Sequence, residues 1–131
     1  MDEVLAFLKA NPVYFVATVD GDVPEIRPFA TICKYNDKLY IQTGMKKNVY
    51  KQVEANQNIA ICGWDGQGTW LRIKATAVPE HGIEAAKALL DEYPSLQKGY
   101  APGDGNNVLL ELTNVTATFI CFGKDNVVVE F

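Results

Sequence analysis

The apolar positions of this chain fall mostly into short runs of β-branched and aromatic residues bounded by turn residues, a pattern that predicts strands. Val13–Val19 is the first such run, and Asp20-Gly21 after it is a hairpin signal. Glu25–Lys34 reads as the return strand. Pro28 inside it predicts an edge, a bulge or a ligand-facing segment, because proline cannot donate to a central ladder. Lys38–Thr43 follows a turn at Asn36-Asp37, and Ile59–Trp64 and Thr69–Val78 flank the turn Asp65-Gly66-Gln67-Gly68. Val108–Leu112, Thr116–Phe122 and Val127–Phe131 complete the strand-like runs.

Helical spacing occurs in three places. Asp2 is placed to cap a first helix carrying Val4, Leu5 and Leu8, which Asn11-Pro12 stops. Lys46–Ala55 turns Val49, Tyr50 and Val53 inward. Gly82–Tyr93 sets Ile83, Ala86, Leu89, Leu90 and Tyr93 on one face, and Pro94 interrupts it. Short turns between strands favour an antiparallel sheet closing as a small barrel, with the helices covering its ends. So little helix leaves apolar sheet surface over, which predicts a homodimer.

Length and charge narrow the function. At 131 residues with 48% apolar content, the chain 1–131 reads as one domain with a real core. A net charge of −4 and no long basic run argue against nucleic acid as a partner. No apolar run spans a bilayer and the Met1-Asp2-Glu3 start is unlike a signal peptide, so no membrane association and a cytoplasmic location are expected. Cys33, Cys62 and Cys121 form no metal-type spacing and read as reduced core thiols.

Candidate chemistry is sparse. His81 is the one histidine, at a predicted surface turn, so neither a histidine metal site nor a catalytic triad is supported and no metal is expected. No glycine-rich nucleotide motif occurs. The stretch Arg27–Lys51 is the most suggestive. Lys46 and Lys47 fall at a helix start, where cations are unfavourable unless an anion joins them. A bound phosphate, with Arg27 reaching the same place, and a solvated lysine pair both account for this. Trp64, Trp70, Tyr40 and Phe29 can wall a planar ligand and Arg72 can meet an anion; core aromatics with an exposed arginine is the other reading. Without acid–base or nucleophilic groups, an enzyme of this composition needs a cofactor to carry its reaction.

In order along the chain, Val16-Ala17-Thr18-Val19-Asp20-Gly21 with Pro24 and Arg27-Pro28-Phe29, Lys38-Leu39-Tyr40, Thr43 with Lys47, Val53-Glu54-Ala55-Asn56 and Trp70-Leu71-Arg72-Ile73 resemble the pyridoxamine 5′-phosphate oxidase-like family. The resemblance implies a mainly β (α+β) fold, a six-stranded antiparallel split β-barrel with short flanking helices, dimeric, with FMN between the subunits. It implies that Arg27, Pro28, Phe29, Ala30 and Thr31 run along the flavin and its phosphate. Thr43, Lys46, Lys47 and Asn48 complete the phosphate site, and Trp70 and Arg72 lie near the ring. The implied function is an FMN-dependent oxidoreductase, flavin reductase-like, taking electrons from a reduced nicotinamide donor to a small-molecule acceptor. A non-catalytic flavin- or haem-binding protein is the alternative, and a deazaflavin reductase a third. The full-length oxidases carry a lysine where this chain has Ile32, and a basic C-terminal extension unlike Val127–Phe131; turnover of pyridoxamine phosphate is therefore not expected.

Overall fold

The computed structural model describes all of residues 1–131. In chain order the elements are α1 (Asp2–Ala10), β1 (Tyr14–Asp20), β2 (Val23–Phe29), β3 (Cys33–Tyr35), β4 (Lys38–Gly44), α2 (Asn48–Ala55), β5 (Asn58–Trp64), β6 (Thr69–Glu80), α3 (Ile83–Glu92), a 3₁₀ turn (Pro94–Lys98), β7 (Asn107–Cys121) and β8 (Val127–Glu130). All pairings are antiparallel, in the order β2-β1-β5-β6-β7-β4-β3, with β8 added beside the second half of β7.

Closure follows from chain geometry. Laid flat, six strand spacings would set β2 and β3 about 29 Å apart. The chain passes from Phe29 to Cys33 through Ala30–Ile32 alone, a reach of at most roughly 14 Å. The sheet must therefore curl until its two ends meet, and since β2 and β3 do not pair, the barrel is split there.

The barrel interior holds Val16, Ile41, Ile61, Leu71, Ile73 and Leu110, with Val4 and Leu8 of α1 and Tyr50 and Val53 of α2 closing over it. Gly63 lets α1 approach β5, because a Cβ there would lie 3.1 Å from Leu8 Cδ2. A second apolar cluster, with Tyr40, Leu89, Leu90 and Leu109, sits between α3 and the outside of the β3–β4–β7 wall. No helix is long and apolar enough to cross a membrane.

The strand content exceeds the expected six: eight strands form the sheet. The run Glu25–Lys34 is two strands, since the crossing between the barrel ends interrupts it. Conversely Val108–Leu112 and Thr116–Phe122 merge into β7, which bends at Asn114 (φ 48°) beside a register shift at Lys74/Thr76. Asp2 does not cap α1: it lies inside the helix, and its carboxylate accepts from Lys34 Nζ at 2.8 Å. Lys46 and Lys47 precede α2 rather than fill its first turn. Ile83 is 60% exposed, and Ala85 takes the inward place instead. Of the cysteines only Cys33 is buried, and burial pushes its thiol up to about 11, so it stays protonated; Cys62 is exposed and Cys121 half-buried.

Candidate functional site

The β2–β3 crossing is braced by side chains from other elements. Ala30–Ile32 makes no ladder, so its backbone groups need other partners. The buried Tyr14 hydroxyl donates to Thr31 O. Thr31 Oγ1 accepts from Gln42 N at 3.1 Å. Tyr93 Oη accepts from Ile32 N and donates to Ile32 O, both at 3.0 Å. One hydroxyl from the end of α3 thus satisfies a whole peptide position. Tyr93→Phe is expected to cost about 1–3 kcal/mol, because the Ile32 amide and carbonyl lose their partner without gaining water. The check is a lowered urea midpoint at unchanged m.

The turn from β4 into α2 carries the lysines. Met45 N donates to Asn106 O at 2.7 Å and Lys46 N to Asn106 Oδ1 at 3.1 Å. Asn106 is itself fixed by Asp104, whose carboxylate accepts from Ala101, Asn106 and Asn107 N–H groups; these bonds hold the Asp104 carboxyl below its ordinary range. Gly44 allows the close approach: a Cβ there would lie 3.1 Å from Tyr100 Oη. Lys47 is the N-cap of α2 in extended conformation (φ −82°, ψ 151°) and provides no side-chain cap. Asn48 and Val49 N–H have no protein acceptor, and neither Lys46 nor Lys47 pairs with a carboxylate. Two amides without a protein acceptor and two exposed lysines without a carboxylate partner therefore adjoin one helix start, a composition suited to an anion.

Arg27 points to the inner side of the sheet, toward Gln52 of α2, and is committed there without meeting Lys46 or Lys47. Its guanidinium donates to Val16 O at 3.2 Å, Thr18 Oγ1 at 2.7 Å and Gln52 Oε1 at 2.8 Å. Partial burial lowers its proton affinity, which Glu25 opposes. It ties β2 to α2 and keeps part of its fork for a ligand. Thr31 and Thr43 are buried, Phe29 half-buried against Tyr14, and Pro28 and Ala30 exposed.

Trp70 and Arg72 lie elsewhere, on the outer face of β6. Trp70 packs against Phe122 with ring centroids 5.6 Å apart, beside the 62%-exposed Trp64. Tyr40 does not join them; it is buried beneath α3. Arg72 lines a cavity of about 420 Å³ with Lys74, Cys62, Phe15 and Ile26. The candidate residues thus divide between an inner group near α2 and an outer group on the sheet face. Lys74 and Phe15 were not among the expected residues, although alternation puts Lys74 two positions from Arg72 on the same face. His81 is exposed and stacks edge-on against Tyr50 at 6.5 Å.

Residues 1–121 match the family profile described as pyridoxamine 5′-phosphate oxidase. A nimC/nimA family protein from Clostridium acetobutylicum is 31% identical, with a TM-score of 0.96 over 100% of this chain and 92% of that one. General Stress Protein 26 from Bacillus anthracis shares the fold at 16% identity, with a TM-score of 0.79 over 99% of this chain and 97% of that one. A Clostridium acetobutylicum protein related to general stress protein 26, of the pyridoxinephosphate oxidase family, shares it at 14% identity and a TM-score of 0.70, over 99% and 93% of the two chains. No curated protein matches the chain.

Proposed function

The chain belongs to the pyridoxamine 5′-phosphate oxidase family, and on that premise we propose that it is an FMN-dependent oxidoreductase working as a homodimer, passing electrons from a reduced nicotinamide to a small acceptor. The observation that carries this reading is the start of α2. Lys46 and Lys47 stand unpaired in an acidic chain beside two unpartnered backbone amides, which suits the phosphate of FMN. The flavin supplies the redox chemistry. The chain's own residues bind the phosphate, hold the crossing Ala30–Ile32 in shape and keep water from the ring.

The dimer rests on the outer face. Phe15 (47%), Ile26 (67%), Trp64 (62%) and Phe122 (86%) are exposed on it, an apolar patch of the kind that marks a protein–protein contact. An interface above ~1,000 Å² is expected. Sedimentation at micromolar concentration should give twice the chain mass; a monomer that still binds flavin would count against the arrangement.

A second reading is a non-catalytic flavin binder. It is favoured by the outer cavity, whose lining contains no carboxylate or imidazole to move protons. The absorption spectrum of the purified protein with FMN tests flavin binding itself. Consumption of reduced nicotinamide by the loaded protein then separates enzyme from carrier.

A further inference from the structure

Two rungs of side chains cross the outer face. Pro28, Phe15, Cys62, Arg72, Thr118 and Val128 form one. Ile26, Ala17, Ala60, Lys74, Thr116 and Glu130 form the other. Both cations are flanked by small residues, while Phe15 and Ile26 rise on one side and Ile120 on the other. That difference in size makes the cavity of about 420 Å³. Mostly apolar walls with a few convergent charges are the usual form of a small-molecule site.

Neither Arg72 nor Lys74 forms an ion pair; Glu130, on the same rung as Lys74 with Thr116 between them, is the carboxylate in register with it and does not close onto it. In a two-fold dimer through this face the patch meets its own copy. Two cations at its centre would then face like charge unless an anion stands between the subunits.

We propose that the cavity over Arg72 and Lys74 binds an aromatic carboxylate. The carboxylate takes the forked guanidinium of Arg72 and the ammonium of Lys74, about 7 Å along the same strand face. The ring lies against Phe15, Ile26 and Ile120. This rests on the flavin reading only for the ligand's role as substrate; its binding depends on the two cations and the apolar walls.

The test is calorimetric titration of the chain 1–131 with benzoate and with benzamide, its uncharged isostere. Saturable benzoate binding is expected, with benzamide weaker by roughly ten- to a hundredfold. Arg72→Met keeps the apolar stem and removes the charge, and should bring benzoate down to the benzamide level. Lys74→Met should weaken it in the same direction. Lys87→Met, on the exposed face of α3, should leave it unchanged. Equal binding of the two probes, no saturable benzoate binding, or full benzoate affinity in Arg72→Met would each overturn the proposal. FMN is titrated in parallel against the unaltered chain. FMN binding without benzoate binding sinks this inference and spares the flavin reading; the reverse result does the opposite.

Discussion

An Ile32→Lys variant is expected to lose roughly 3–5 kcal/mol of stability at neutral pH and to recover part of it as the pH rises. Ile32 is 1% exposed and belongs to the main core. Its amide and carbonyl are both held by Tyr93 Oη, so the position cannot turn its side chain outward without releasing them. An ammonium placed there is unpaired and desolvated, which depresses its folded-state pKa below the unfolded value of about 10.4. Between those two values the unfolded chain binds more protons than the folded one, so stability increases with pH. The loss is complete below the depressed pKa and its charge-dependent part vanishes above about pH 10. Ile32→Met, which keeps the volume without the charge, should cost under ~1.5 kcal/mol and show no such slope. Urea midpoints for both variants across neutral and alkaline pH decide the matter. A deficit for lysine that stays flat with pH would mean that its head reaches water, and that position 32 opens toward a ligand. If the slope appears, one substitution cannot restore the lysine of the full-length oxidases, and the surrounding core must change with it.

That burial explains how far the sequence could be read. Strands announced themselves wherever alternation was clean: Ile59, Ile61 and Gly63 face inward and Asn58, Ala60, Cys62 and Trp64 outward, as a period of two requires. The turns at Asp20-Gly21 and Asn36-Asp37 were legible because their residues tolerate positive φ, observed at Gly21 (65°), Asn36 (49°) and Asp37 (57°). The crossing at Ala30–Ile32 was not legible. It is apolar and β-branched like the strands on either side, and only the meeting of the barrel ends forbids pairing there. The bend in β7 escaped for a similar reason, since Asn114 looks like a turn but the strand continues through it. Ile83 fits the helical period yet sits on the first turn of α3, above Gly103 and away from the packed face.

The candidate site divides along the same line. Local chemistry marked Lys46 and Lys47, because cations at an expected helix start stand out in a sequence, and Arg27 was joined to them from the preceding strand. What they pack against did not: Asn106, Asp104 and Tyr100 come from a loop some sixty residues further on, as the separation of 60 between Lys46 and Asn106 shows. Nothing in the spacing of Arg27 revealed that Thr18 and Gln52 occupy its fork. Arg27 and the pair Trp70 and Arg72 lie on opposite faces of the sheet, a separation that residue order alone does not display. A ligand touching both must pass the barrel rim or draw one group from a second copy, which is a physical reason for expecting the dimer.

Lys47→Ala is expected to weaken FMN binding roughly ten- to a hundredfold while leaving riboflavin binding nearly unchanged. Lys47 is exposed, caps α2 only through its backbone, and meets no carboxylate, so its side chain contributes little to the fold. If its ammonium joins the Asn48 and Val49 amides on a phosphate dianion, the contact is charge-assisted and worth about 1.5–3 kcal/mol. Each 1.4 kcal/mol is about a factor of ten in affinity, which gives the stated range. Riboflavin has the same ring and no phosphate, so it senses damage to the ring site but not to the anion site. Arg27→Ala is the less clean experiment: it also frees Thr18 and Gln52 and loosens β2 from α2, and both ligands should suffer. Flavin fluorescence titrations of the two ligands against wild type, Lys47→Ala and Arg27→Ala separate these effects. A large FMN loss with riboflavin intact in Lys47→Ala assigns the phosphate to the start of α2. Equal losses for both ligands, or no loss for either, would leave Lys47 a solvated surface lysine and remove the main physical support for a cofactor phosphate at that turn.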